Sequence, residues 1–294
     1  MAEVYLGARL EFLRRTQNAD GGWGYFPAKG SWFEPTAYAL LALHGDAQSA
    51  AAVRRGWELV RRWQRPDGSW KPAAQVEDST WVTALGVTLC CVRGERGPAL
   101  RAGVERLLST MGAEYTLVGR AIGFLGFGNK DVDTNHPAWP WHDGTSSWIE
   151  PTAHSLVALK KTYALTRDPR IPPRIQQAEQ MVLGRRCSDG GWNYGAPRTY
   201  GITLPSYPET TALAVLALQG CKAQVGDAAA LCRKHWNGAR RPLAAAWLAI
   251  AIQTWNETVA PPEETDPPPN DVLLTALQAL AHPQGNHNLL RTEA

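Results

Sequence analysis

The sequence lacks any apolar run long enough to cross a bilayer. Its longest run, Leu243 to Ile252, is about half of the roughly 20 residues that a transmembrane helix needs. Residues Met1 to Leu13 mix charged and apolar side chains in an amphipathic pattern, without the apolar core of a secretory signal. We therefore expect a cytoplasmic protein, and we leave peripheral membrane contact open.

Paired cysteines and an excess of one charge are also missing. Five cysteines, including the adjacent Cys90 and Cys91, are an odd number and indicate reduced thiols, not a disulfide framework. Thirty basic and 27 acidic side chains leave a net charge of +3, too mild to indicate a nucleic-acid partner. What the chain has instead is 13 tryptophans, 27 glycines and 21 prolines, which together indicate many tight joints.

The main positive feature is an internal repeat. Its first copy runs from a helix-forming segment through the turn Asp20-Gly21-Gly22-Trp23 to an apolar segment that begins Glu34-Pro35-Thr36-Ala37. Further copies of all or part of this unit lie at residues 57–91, 139–159 and 181–218. In each unit the first helix has one polar face, whereas the second is apolar nearly all round and should be buried on both sides.

Alternating outer and inner helices satisfy both demands if the array closes into a ring. We predict an all-α protein, an α/α toroid (or α/α barrel) of five to six helix pairs that forms one domain over residues 1–294. Residues 112–140 are predicted as an irregular insertion and 256–270 as a proline-rich loop. Residues 271–282 are predicted as the closing helix, since the segment starts with an acid and ends near a proline.

The order aromatic, aliphatic, Gln, Gly-x-Trp at Phe12, Leu13, Gln17 and 21–23 resembles the QW repeat of squalene–hopene and oxidosqualene cyclases. With the Thr-Ala helix starts, the chain is similar to the prenyltransferase/squalene-oxidase repeat superfamily. The resemblance implies a toroid whose deep, aromatic-lined cavity takes an isoprenoid chain. One fold hosts several activities, so the chemistry depends on particular residues.

Two chemistries of that superfamily lack their residues here. Zinc-dependent protein prenyltransferases hold the metal with an Asp-x-Cys pair, and the order at Cys187-Ser188-Asp189 is the reverse. No cysteine lies in the Gly-Cys-Gly-Glu-Gln loop of thioester-containing relatives. We therefore expect neither a metal nor another cofactor.

Class II terpene cyclases, the third branch, protonate an alkene or epoxide with the middle acid of D-x-D-D. Asp131 and Asp133 give the order D-x-D-T, but no Thr-Ala helix follows them. Alignment on the Thr-Ala start instead puts Glu150 in the place of the middle acid, and Glu34 and Glu209 in the same place in their own units. Such an acid works only if its surroundings keep it protonated.

Each of these features has a structural alternative. The three glutamates complement the helix dipole as repeated caps, and two of them are followed by a proline at the first helical position. Asp131 and Asp133 lie in an Asp/His-rich loop that also suits solvated turns. His154 is either a satisfied helical residue or a neighbour of Glu150 at the cavity mouth. The aromatic residues at the helix starts pack repeats together or line a cavity for a carbocation: Trp32, Trp81, Trp148 and Tyr207.

We predict an enzyme of the class II terpene-cyclase type, an isomerase or lyase, that binds an isoprenoid or another apolar small molecule. Glu150, Asp133 or Asp131 would supply the acid, with the aromatic residues, His154, Glu34 and Glu209 around the substrate. The alternatives are a non-catalytic toroid for a lipid or partner protein and a carbohydrate-active α/α barrel, which also uses acids and tryptophans. The oligomeric state is left open.

Overall fold

The computed structural model describes residues 2–77, 81–125, 135–199, 201–226, 228–238, 241–259 and 267–292. Helices dominate these ranges. They are α1 (Ala2–Arg15), α2 (Phe33–Ala42), α3 (Ala50–Arg62), α4 (Val82–Val92), α5 (Pro98–Ser109), α6 (Leu117–Phe124), α7 (Ile149–Thr166), α8 (Ile171–Gly184), α9 (Pro208–Ala217), α10 (Lys222–Val225), α11 (Ala228–Gly238), α12 (Pro242–Thr254) and α13 (Val272–Ala281). Two short strands, β1 (Arg198–Thr199) and β2 (Ile202–Thr203), form an antiparallel hairpin.

Six helices form a closed inner ring, because α2, α4, α7, α9, α12 and α13 each contact the next in that order and α13 contacts α2. The outer layer consists of α1, α3, α5, α8 and α11, each packed on the inner helices. The inner helices are buried on nearly every face, as in α9, where residues 210–217 are all buried. This architecture confirms the predicted α/α toroid, and α13 contacts both α12 and α2.

Four turn tryptophans connect the outer helices to the inner ones. They are Trp23, Trp70, Trp139 and Trp192, all nearly fully buried. Each indole Nε1 donates to a carbonyl near the end of an outer helix, at Leu13, Val60, Leu107 and Val182 respectively, over 2.6–2.9 Å. Replacing such a side chain with alanine would cost about 3–5 kcal/mol of stability.

The threonine of the helix start completes this joint. The backbone N–H of each turn tryptophan donates to a threonine Oγ1 in the first turn of the next inner helix, at Thr36, Thr83, Thr152 and Thr211. The two residues are 13 positions apart in the first three units and 19 apart in the fourth. The six additional residues of the fourth unit belong to the segment that contains the β1–β2 hairpin.

The Asp-Gly turns need glycine for two reasons. Gly21 and Gly68 have φ of +95° and +86°, in the left-handed region that L-residues rarely adopt. A Cβ at Gly21 would also lie 2.5 Å from the Arg55 carbonyl oxygen, and one at Gly68 2.2 Å from that of Ala102. The turn is therefore pressed against the next outer helix, as expected for adjacent repeats.

Neighbouring units are tied together by a bond two residues after the turn tryptophan. The carbonyls of Tyr25, Pro72 and Tyr194 accept the first N–H groups of α13, α2 and α7 at 2.8–3.0 Å. The segment predicted as an irregular insertion contains α6 and a 3₁₀ turn, Ala113–Tyr115. Within the described ranges, no helix combines the length and apolarity that crossing a membrane requires.

Candidate acid site

The starts of the inner helices converge on a cluster that we call the acid cup, formed by Tyr25, Glu34, Tyr38, Glu150 and Asp271. Glu34 and Glu150 lie in the first turns of α2 and α7. Asp271 is the N-cap of α13, where its Oδ1 accepts from the Leu274 N–H at 2.9 Å. The ring places these residues together although they are far apart in the sequence.

The pKa of the Glu34 carboxyl is well above its ordinary value. The Tyr25 hydroxyl donates to its Oε2 at 2.5 Å. A small part of the side chain stays accessible, yet desolvation by the surrounding protein raises the pKa of Glu34 to about 7. The hydrogen bond from Tyr25 opposes this shift, while the nearby charges of Glu150 and Asp271 add to it. A sizeable fraction of Glu34 is therefore protonated at neutral pH.

The two tyrosines of the cup stay neutral. Burial is the largest cause that raises the pKa of Tyr25 above its ordinary value, followed by the charge of Glu34 and the hydrogen bond to it. Burial likewise raises the pKa of Tyr38, with further contributions from Glu34 and Glu150. Both hydroxyls therefore keep their protons, and that of Tyr25 donates to Glu34.

Glu150 has a different neighbour. His154, one turn further along α7, places its Nε2 4.0 Å from Glu150 Oε1. His154 is 5% exposed, and its Nε2 has no hydrogen-bond partner among the described residues. The imidazole therefore lies next to the carboxylate without an ideal hydrogen bond to it.

A floor of three rings closes the axis of the toroid below the carboxyls. Tyr38, His154 and Trp247 come from α2, α7 and α12, which alternate around the ring, so their contacts cross its centre. The ring centroids are 5.5 Å apart for Tyr38 and Trp247, 6.0 Å for His154 and Trp247 and 6.4 Å for Tyr38 and His154. Tyr38 and His154 each lie one helical turn after Glu34 and Glu150, so these rings pack beneath the two carboxyls.

Further aromatic residues form the wall of the cup. Trp81 lies 5.6 Å from the His154 ring and 5.2 Å from Trp141, which it meets edge to face. Trp32 packs against Tyr25 with centroids 5.9 Å apart. Electron-rich ring faces around a carboxyl suit a cationic intermediate or an apolar ligand.

A second group of aromatic residues lies at the rim, which we call the rim groove. Trp148, Tyr194 and Tyr207 are 38%, 45% and 43% exposed. They line a groove of about 440 Å³ beside the hairpin, together with Leu204 and the buried Arg185. The charges of Glu209 and Glu150 help to raise the pKa of Tyr194, behind desolvation, so both acids lie near this groove.

The structure brings together most of the predicted site residues. Glu34, Glu150, His154, Trp32 and Trp81 belong to the cup or its wall, and Trp148, Tyr207 and Glu209 lie at the rim groove. Asp131 and Asp133 lie outside the described residues. The N-caps of α2, α7 and α9 are extended aromatic residues without side-chain capping bonds.

Sequence reasoning missed Tyr25, Tyr38, Asp271 and Trp247. The repeat pattern could have indicated Tyr25, because an aromatic residue also follows the turn tryptophan by two positions in units three and four. Asp271 was recognised only as the start of a helix. Tyr38 and Trp247 are single aromatic residues inside apolar helices, a pattern that ordinary core positions share.

No family model matches the chain. The drimenyl diphosphate synthase of Streptantibioticus cattleyicolor is 42% identical over 60 residues, which cover 20% of this chain and 11% of the relative. That of Streptomyces showdoensis is 25% identical over 216 residues, covering 70% of this chain and 36% of the relative. The matched parts thus span about a third of these relatives at most.

Solved structures share the fold over nearly the whole chain. The type II terpene cyclase MstE from Scytonema, in complex with its product merosterolic acid A, has a TM-score of 0.59 at 16% identity, with 95% of both chains covered. A GH8 endo-beta-1,4-glucanase from an Achatina fulica gut metagenomic library has a TM-score of 0.58 at 16% identity, covering 93% of this chain and 96% of the other. This likeness establishes the α/α toroid, and both neighbours are enzymes.

Proposed function

We propose that the protein is an enzyme that cyclises an isoprenoid by protonating one of its alkenes, with the acid cup as its active site. The observation that carries this proposal is the largely buried Glu34 carboxyl, which is hydrogen bonded by Tyr25 among aromatic rings and has its pKa raised to about 7. A general acid is most effective when its pKa is near the working pH. The partial sequence match to drimenyl diphosphate synthases and the fold of a type II terpene cyclase support the same chemistry.

In the proposed reaction, the Glu34 carboxyl transfers its proton to an alkene carbon of the substrate. The π electrons form the new C–H bond, Glu34 becomes a carboxylate, and the neighbouring carbon becomes a cation. Other alkenes of the same chain attack that cation, each forming a C–C bond and moving the charge along. Transfer of a proton from the last cation to water forms the product alkene, and solvent returns a proton to Glu34, so a substrate that keeps all its other groups is isomerised.

The other cup residues have supporting roles in this proposal. Glu150 keeps the first proton on Glu34, because a neighbouring negative charge raises the pKa of a carboxyl. Tyr25 orients the Glu34 carboxyl through its hydrogen bond and supports the carboxylate left after proton transfer. Trp81 packs against both His154 and Trp141, and these ring faces and edges would stabilise a cation there.

Glycan hydrolysis is the second candidate. The cup contains one protonated carboxyl beside a second carboxyl, and a glycosidase divides acid and base or nucleophile between two such groups. The GH8 endo-beta-1,4-glucanases with this fold are the structural parallel. The apolar wall and floor favour the isoprenoid, because glycan sites need hydrogen-bond partners for many hydroxyls.

The deciding experiment incubates the protein with prenyl diphosphates and prenyl alcohols of 10, 15 and 20 carbons and, separately, with carboxymethyl cellulose. Mass spectrometry and a reducing-sugar assay detect the products. We expect a cyclic isomer of a prenyl substrate that the Glu34→Gln variant does not form. Release of reducing sugar that needs Glu34 would replace the proposal by the second candidate. If neither substrate class is turned over, both are wrong.

A further inference from the structure

We propose that the rim groove binds the distal, non-reacting part of the isoprenoid chain whose reacting end enters the acid cup. This inference rests on the proposed function and assigns a second subsite to the same substrate. It is carried by the exposed aromatic residues, by the additional residues of the fourth unit and by the nearness of the groove to Glu150 of the cup.

The groove lies close to Glu150 of the cup. The Tyr194 carbonyl accepts the Ile149 N–H at 3.0 Å, one residue before Glu150. The charges of Glu150 and Glu209 reach its phenol and help to raise its pKa. Tyr194 thus lies near Glu150 and packs against Tyr207, whose ring centroid is 5.3 Å away.

Part of the groove is built by residues that the other units do not have. The fourth unit has six more residues between its turn tryptophan and its threonine than the other three units. Part of this longer segment is the β1–β2 hairpin, and Ala196, Thr199 and Leu204 from the segment line the groove. A deviation from an otherwise regular repeat that forms a cavity of ligand size is typical of a functional loop.

The lining favours an uncharged, apolar occupant. Arg185 at its base donates to the Ser147 carbonyl at 2.7 Å and to its hydroxyl at 2.9 Å, and Glu114 lies 3.5 Å from the same guanidinium. This pairing offsets the positive charge of Arg185. The side chain of Asn193 also forms its hydrogen bonds within the protein, since it donates to the Ala196 carbonyl and accepts from the Gly195 N–H. The exposed surface left for a ligand is mainly ring faces and aliphatic groups.

Gly195 offers a way to fill the groove without touching the cup. A Cβ at Gly195 would lie 3.3 Å from Cζ3 of Trp148, so a larger side chain there must occupy space beside that ring. Gly184 provides the matched control, because it is exposed and a Cβ there has no neighbour within 4 Å. Tyr194→Ala removes a wall of the groove instead of filling it.

The test measures dissociation constants of geraniol, farnesol and geranylgeraniol by equilibrium dialysis with radiolabelled alcohols. For the wild-type protein we expect affinity to rise with chain length. Gly195→Leu and Tyr194→Ala should weaken geranylgeraniol binding about tenfold and leave geraniol unchanged, since only the longer chain reaches the groove. Gly184→Leu should bind all three like the wild type, and circular dichroism would verify the fold of each variant.

Three outcomes would overturn the inference: no binding of any alcohol, equal weakening for all three, or unchanged binding of geranylgeraniol in both groove variants. Turnover of the prenyl diphosphates by the same variants separates this failure from failure of the proposed function. If cyclisation needs Glu34 but is unchanged in the groove variants, the inference about the rim groove is wrong and the proposed cyclase function stands. If the alcohols bind in the groove but no substrate is turned over, the groove is a lipid-binding site and the proposed cyclase function is wrong.

Discussion

The helix starts at Glu34 and Glu150 have the same four letters, Glu-Pro-Thr-Ala, and different surroundings. At both, the threonine holds the turn tryptophan of its own unit. Glu34 is hydrogen bonded by Tyr25 and has Tyr38 one turn below, whereas Glu150 has Trp141 in the place of Tyr25 and His154 in the place of Tyr38. The motif thus builds the joint, and residues outside it decide the acidity.

The largest expected effect separates these two glutamates from the third. Glu34→Gln should lower turnover of a prenyl substrate by at least about 100-fold, because the variant has no proton to transfer. Glu150→Gln should be slower as well, whereas Glu209→Gln, at a joint with Leu213 one turn below, should stay within about threefold of the wild type. Steady-state kinetics measure this, and equal losses at all three positions would mean that they are interchangeable caps.

Stability as a function of pH tests the same difference without a substrate. The folded-state pKa of Glu34, about 7, is raised above its ordinary value of 4.5. Between these values the folded chain binds more protons than the unfolded one, so this group's contribution to stability falls as pH rises through the window. Glu34→Gln should therefore stabilise the protein by about 2–3 kcal/mol at pH 8 and not at pH 4.

Urea unfolding of the wild type and the variant at both pH values measures this change. Glu209→Gln is the control, with no gain expected at either pH. If Glu34→Gln stabilises the protein as much at pH 4 as at pH 8, the charge of Glu34 is not what destabilises the folded state.

Substitution of the threonine that the two joints share should cost the same stability in both. Thr36→Val and Thr152→Val each leave the backbone N–H of a buried tryptophan without its acceptor, so each should cost about 1–3 kcal/mol. Thermal unfolding of the two variants measures this cost. If the costs of the two substitutions differ by more than about 1.5 kcal/mol, the neighbouring glutamate as well as the threonine stabilises the joint.

The smallest expected effect is a pair of opposite shifts in the pKa of Glu34. Tyr25→Phe removes a hydrogen bond that lowers this pKa and should raise it, whereas Glu150→Gln removes a nearby charge and should lower it. Each shift should be about one unit or less. NMR titration of the Glu34 carboxyl measures both, and two shifts of the same sign would contradict the described cup.

The sequence predicted the repeated parts of the molecule because the same physical demand recurs in each unit. A buried indole needs an acceptor and a tight turn needs glycine, so Trp23, Thr36 and Gly21 have counterparts at fixed spacing. The closing helix was predicted from its acidic start and the proline after it. The inner ring follows from helices that have no polar face.

The acid cup could not be predicted in the same way, because its members meet only through ring closure. Tyr25 and Asp271 belong to the first unit and the last helix, and nothing local indicates that they are neighbours of Glu34. The predicted acid Glu150 does lie in the cup, but the perturbed carboxyl is Glu34, which had been placed among the binding residues. Burial and neighbouring charge decide acidity, and both depend on tertiary structure.

The hydrogen bond from the Val272 N–H to the Tyr25 carbonyl has a consequence for the maturation of the protein. It joins the closing helix to the residue that orients Glu34, and it brings Asp271 within electrostatic range of that carboxyl. A chain whose last inner helix has not docked leaves Glu34 better hydrated, with the acidity of an ordinary surface glutamate. The raised pKa of Glu34 thus depends on completion of the ring by its last inner helix.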